Sequence, residues 1–143
     1  AVVERHKNTR HIGIGYLKGY GLKSGAVATS VAHDSHNIIC VGTNDEDMAF
    51  AVNRIARNRG GIVVVENGQV LAELPLEIAG IISGKPLREV NTLLEDAKKA
   101  AHSLGVGTDI DPFMTLSFMS LPVIPTLRLT TRGVVDVNTQ QYV

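Results

Sequence analysis

Tryptophan is absent from this chain, and only three tyrosines and three phenylalanines occur in 143 residues. So few flat rings argue against a base-stacking platform for single-stranded nucleic acid. Excess charge is missing too. Fourteen basic residues balance fourteen acidic ones, so no long-range field draws in nucleic acid or an anionic membrane surface. No apolar run approaches the roughly 18 residues that a membrane span needs. The opening, Ala1-Val2-Val3-Glu4-Arg5-His6, lacks the apolar stretch of a signal peptide. It also lacks an initiator methionine and reads as the interior of a longer chain. Cys40 is the single cysteine, which excludes an internal disulfide. Within Ile38-Ile39-Cys40-Val41 it reads as a small core hydrophobe, and a reduced thiol is compatible with a cytoplasmic home.

What is present is an ordinary globular mix, 44% hydrophobic and 20% charged, at a length that suggests one domain over residues 1–143. The alternation in His11-Ile12-Gly13-Ile14-Gly15-Tyr16-Leu17 predicts a strand whose glycines mark a close backbone approach or a bulge. Residues 26–32 and 38–42 predict two further strands, joined as a hairpin by the turn formers Asp34-Ser35-His36-Asn37. Thr43-Asn44-Asp45-Glu46 has the form of a capping box with Thr43 as N-cap. Met48, Val52 and Ile55 then mark one helical face. The acidic triplet Asp45, Glu46 and Asp47 reads as helix-end electrostatics rather than a metal site, with Gly60-Gly61 ending the helix. Asn67-Gly68 between apolar runs predicts a tight hairpin, because both central residues of a type I′ turn need positive φ.

A second helix is expected over residues 86–104. Its apolar face is Leu87, Val90, Leu94, Ala97, Ala101 and Leu104, and His102 is solvated near its end. In the tail, Phe113, Leu116, Phe118 and Leu121 are apolar enough to pack. Pro122 and Pro125 exclude a central strand there, and Leu127-Arg128-Leu129-Thr130 suits a short edge strand. The expected class is α+β: antiparallel hairpins with two amphipathic helices on one face of the sheet.

The densest chemistry lies in Ser30-Val31-Ala32-His33-Asp34-Ser35-His36-Asn37, a polar connection between apolar strands, where binding and catalytic groups tend to sit. His33 and His36 have a spacing that can bring two imidazoles to one ion, with Asp34 as an oxygen ligand and His6 or His11 as further imidazoles. Asp34 or His36 could instead serve as a general acid or base. A turn with satisfied side chains remains open as the plain alternative. Ser30 and Ser35 lack the setting of an activated nucleophile. Gly13-Ile14-Gly15 and Gly19-Tyr20-Gly21 are not followed by a helix, as a phosphate loop requires. Arg5-His6-Lys7 and Arg10-His11 form a basic patch that reads as a solvated face.

These residues carry a resemblance. Gly21-Leu22-Lys23-Ser24-Gly25-Ala26-Val27-Ala28, the string from Ser30 through Asn37, and Val41-Gly42-Thr43-Asn44-Asp45-Glu46-Asp47-Met48 resemble the C-terminal domain of prokaryotic adenine deaminases of the amidohydrolase superfamily. Val3-Glu4-Arg5-His6, Gly60-Gly61-Ile62-Val63-Val64-Val65, Leu71-Ala72-Glu73-Leu74-Pro75-Leu76 and Asp111-Pro112-Phe113-Met114-Thr115-Leu116-Ser117-Phe118 match as well. So do Leu121-Pro122-Val123-Ile124-Pro125 and Leu127-Arg128-Leu129-Thr130, and the likeness covers almost the whole chain.

The resemblance implies hydrolytic deamination of adenine to hypoxanthine and ammonia, a step of purine salvage. A Mn- or Fe-carrying barrel precedes this domain in the family and performs the chemistry. About 140 residues cannot hold such a barrel, which typically needs about 250. The domain is therefore expected to complete or cap the barrel's site. In that role Asp34 and His36 are the candidate catalytic residues, Ser35 and Asn37 the candidate contacts to adenine, and His33 with His36 a candidate metal pair. The expected partners are the barrel of the same enzyme, adenine and further copies of the chain, with no nucleic acid and no membrane. A non-catalytic docking or oligomerisation module is the alternative, and a small self-contained metal hydrolase is a third reading.

Overall fold

The computed structural model describes residues 1–143. The chain runs β1 (Val2–Val3), β2 (Ile12–Gly13), β3 (Ala26–Thr29), β4 (Ile38–Gly42), α1 (Asp45–Arg57), β5 (Gly61–Glu66), β6 (Gln69–Pro75), α2 (Leu87–Ser103), α3 (Pro112–Met119), β7 (Leu127–Thr130), β8 (Gly133–Asp136) and β9 (Gln141–Tyr142). Six strands form one antiparallel sheet in the order β2-β1-β4-β3-β5-β6, and the last three form a second sheet in the order β7-β8-β9. The expected α+β class is borne out, as are the β3–β4 and β5–β6 hairpins and the strand over residues 127–130.

The placement of the helices departs from expectation. They lie on opposite faces of the large sheet, not on one. Ala51 and Ile55 of α1 pack with Ala26, Ala28, Cys40, Val63 and Val65. Ala97, Ala101 and Leu104 near the end of α2 pack with Val27, Ile39, Ile62 and Val64 on the other face. Successive strand residues point to opposite faces, so the unbroken apolar runs of β3, β4 and β5 signal a sheet covered on both sides. Leu87, expected on the apolar face of α2, is 84% exposed, so the first turn of that helix adds nothing to the core there. His102 is half-buried, and its Nδ1 lies 3.2 Å from the Val106 carbonyl oxygen.

A third helix, α3, was not expected. It packs Phe113 and Leu116 into the α2-side core. Its start was readable: Asp111 Oδ1 accepts from the Phe113 and Met114 amides at 3.0 and 2.9 Å, with Pro112 at the first helical position. Apolar residues all round this short helix left no helical stripe to read.

The strand expected over residues 11–17 is confined to Ile12–Gly13, since β1 offers only two residues to pair with it. The close approach expected at its glycines is real at Gly13. A Cβ there would stand 1.8 Å from the Thr130 carbonyl oxygen, so this glycine seats the second sheet against the first. The strand begun at Ala26 stops at Thr29. Ser30 turns inward, where its Oγ accepts from the Gly61 amide at 2.8 Å and donates to the Gly80 carbonyl at 2.5 Å.

The cap of α1 falls one residue later than expected. Thr43 still extends the β3–β4 ladder, donating to the Gly25 carbonyl at 3.0 Å. Asn44 is the N-cap, accepting from the Asp47 amide at 2.8 Å. Gly61 belongs to β5 rather than to the end of the helix. Asp47 is only 3% exposed. Its two oxygens accept from the Asn67 and Gly68 amides at 3.1 and 2.8 Å, tying α1 to the β5–β6 turn, whose central residues have φ of 52° and 71°.

The Gly68 amide and the Asn44 side chain hold the Asp47 carboxyl below its usual range. Asp47→Ala is expected to cost about 1–3 kcal/mol in urea unfolding at pH 7. A depressed folded-state pKa stabilises above the unfolded value and loses its effect as pH falls through the folded one. The difference between wild type and variant should therefore shrink below about pH 4.

Candidate functional site

The polar connection between β3 and β4 forms a turn at residues 33–35 at one end of the large sheet. It is short and well tethered. The His36 amide donates to the Ala32 carbonyl at 2.6 Å, and the His33 amide donates to the Ser117 carbonyl of α3 at 3.1 Å. Asn37 works inside the loop: its Oδ1 accepts from the Arg5 amide at 3.1 Å, and its Nδ2 donates to Ser35 Oγ at 3.2 Å.

Asp34 and Ser35 are exposed, and no protein group donates to the Asp34 carboxylate. Together with Asn37 they line an open cavity of about 370 Å³, bordered by Ser120, Leu121 and Pro122 after α3 and by Thr130 and Thr131 at the β7–β8 turn.

The two histidines sit apart from this cavity. Their ring centroids are 6.0 Å apart in an edge-on arrangement, and the His33 ring rests 5.1 Å from that of Phe118. His36 is half-buried, with an Nδ1 that has no hydrogen-bond partner. Burial, reinforced by the neighbouring His33 and Arg5 charges, pushes its pKa down, so the ring is neutral at pH 7. No three of the chain's His, Cys, Asp and Glu side chains gather where they could hold one metal ion. His6 turns its Nε2 to the Ser35 carbonyl at 2.7 Å, so it braces the loop rather than adding a ligand to the pair. The candidate metal pair of His33 and His36 therefore has no third His, Cys, Asp or Glu ligand beside it, and the Mn or Fe centre that the resemblance implies belongs to the preceding barrel. Cys40 is buried, and burial pushes its thiol up to about 12, which keeps it unreactive.

Three contributors escaped the sequence reading. Arg5, taken for part of a solvated patch, is half-buried and bonded to the loop. Ser120 and the Thr130-Thr131 turn reach the cavity from far along the chain, and nothing local in the sequence marks them. A second, larger cavity of about 620 Å³ lies between residues 14–17, the end of β4 and the small sheet, with mostly apolar walls. No helix is long and apolar enough to cross a membrane.

These features define an α+β domain that presents a polar, cavity-lining loop without a metal centre of its own. Residues 1–141 match the profile of the adenine deaminase C-terminal domain, and the chain belongs to that family. It is 54% identical over 143 residues to the adenine deaminase of Nitratidesulfovibrio vulgaris strain Hildenborough, covering 99% of this chain and 25% of that protein. It is 52% identical to adenine deaminase 2 of Carboxydothermus hydrogenoformans over 97% of this chain and 24% of that one. Against the Bacillus subtilis adenine deaminase it is 48% identical, over all of this chain and 25% of the relative. The chain thus spans about a quarter of the length of these relatives.

Proposed function

We propose that this chain serves as the C-terminal domain of a cytoplasmic enzyme that converts adenine and water to hypoxanthine and ammonia. Its 33–37 loop borders the active-site mouth of a preceding amidohydrolase barrel. The observation that carries the reading is the cavity in which Asp34, Ser35 and Asn37 come together, in a family defined by adenine deaminase. A metal ion held by the barrel would activate the attacking water.

This chain's own groups do the rest. The free Asp34 carboxylate accepts a purine N–H or takes up a proton, and the Ser35 hydroxyl meets a ring nitrogen. Asn37 keeps Ser35 in place. The His36 ring lies in the same loop beside His33, outside the cavity lining, as the candidate acid or base.

A test follows from the division of labour. The purified chain, given adenine with Mn²⁺ or Fe²⁺, is expected to form no hypoxanthine, whereas the enzyme containing both portions turns over. Turnover by the chain alone would place a complete site here and overturn the reading. The docking-module alternative draws on exposed Ile14, Tyr16 and Leu17 beside the larger cavity. Adenine protection of the Asp34 and Ser35 amides in the assembled enzyme separates the two, since a docking module has no reason to meet purine.

A further inference from the structure

We propose that Arg5 is a positioning residue whose guanidinium fixes the 33–37 loop against the 77–82 segment. Arg5 Nε donates to the His36 carbonyl at 2.8 Å, while Nη2 donates to the Ala79 carbonyl at 2.9 Å. The backbone amide of the same residue donates to Asn37 Oδ1 at 3.1 Å. One residue of the segment that follows β1 therefore grips the loop at two successive residues and bridges to a second loop more than seventy residues away in sequence.

The far anchor is rigid. Gly80 has φ of +78°, and a Cβ built on it would lie 2.3 Å from Arg5 Nη1, so the guanidinium fills the space above that glycine. The Gly80 carbonyl is tied in turn to Ser30 Oγ, which is fully buried and also holds the Gly61 amide. Core, 77–82 segment, Arg5 and loop form one chain of contacts.

The near end needs such a hold. His36 has φ of 50°, a conformation that non-glycine residues adopt only at a cost. The Arg5 bond to its carbonyl supports that backbone from outside the turn. Lysine would keep the charge but not the fork, because a single ammonium cannot reproduce the planar pair of donors that meets both carbonyls. The effect on the loop is independent of the proposed function, whereas the effect on turnover rests on the loop bordering the adenine site.

Arg5→Gln, Arg5→Lys and Gly80→Ala should be compared with Lys7→Gln, an exposed basic neighbour, by amide hydrogen exchange on this chain. The expected result is exchange at His36 and Asn37 about ten-fold faster or more in the first three, with Val27 and Val64 unchanged. Gly80→Ala touches no residue of the loop, and unaltered exchange at Ser30 and Gly61, which share the Gly80 tether, separates displacement of Arg5 from a shift of the 77–82 backbone itself. In the assembled enzyme the same three variants should lose about ten-fold or more in kcat/KM, with lysine giving no rescue. Loop exchange unaltered in Arg5→Gln, or restored by lysine to the wild-type rate, would overturn the inference. Faster loop exchange with unaltered turnover would uphold Arg5 as the loop's anchor and instead sink the reading of the loop as part of the adenine site.

Discussion

In the assembled enzyme, Asp34→Asn should lower kcat for adenine by about 10²-fold or more while the domain stays folded. The size follows from the work assigned to the carboxylate: a positioned acid or base contributes about 10²–10⁴ to rate. Asparagine keeps shape and volume but can neither take up a proton nor present a full negative charge to a purine N–H. The fold has little stake in the change, since Asp34 is exposed and no protein group donates to its carboxylate. His36→Ala is the companion variant and should also slow turnover. Steady-state kinetics with thermal melts of each variant make the check. Normal kinetics in both, with intact melts, would remove the loop from the reaction.

The largest loss of stability is expected at Ile55. This side chain is fully buried and faces a strand layer built from small residues, Ala26, Ala28 and Cys40, beside Val63 and Val65. It fills space that its neighbours are too short to close. Ile55→Ala should therefore leave a cavity and cost about 2–5 kcal/mol in urea unfolding, with Ile55→Val at about 0.5–1.5 kcal/mol if the alanine variant does not fold. Leu87→Ala, on the exposed first turn of α2, should stay within about 0.5 kcal/mol. A loss at Leu87 equal to that at Ile55 would mean that the two-faced core is drawn wrongly.

Local signals carried much of this fold. Asn67-Gly68 announced its hairpin because positive φ at two successive positions restricts which residues fit. The boundaries of β4 followed from an apolar run meeting turn formers. What depended on distant partners did not show. Continuous apolar strands cannot say which face each helix takes, and the assignment of α1 and α2 to opposite faces emerges only from packing. Thr43 has the chemistry of an N-cap but is spent on the ladder with Gly25, so the cap passed to Asn44. In the candidate site, the polar string of residues 33–37 was conspicuous because such groups have no use in a core. Its environment was hidden: Arg5, Ser120 and Thr131 reach it across 28 to 94 residues of chain.

The order of strands in the large sheet has a consequence for folding during synthesis. Val2 and Val3 pair on one side with Gly13 and Ile12 and on the other with Ile39 and Ile38. They leave the ribosome before β4 exists, and the β3–β5 pairing, Ala26 with Val65 and Thr29 with Ile62, likewise waits for strands made later. Loop closure then has to bring β1 back across some 35 residues to the edge of β4, a late and entropically costly step. Arg5 lies immediately beyond that strand, so the loop it grips can reach its final shape only once β1 has docked. The earliest-made part of the domain thus waits for β4 before it can take its place, and the polar loop is completed only with it.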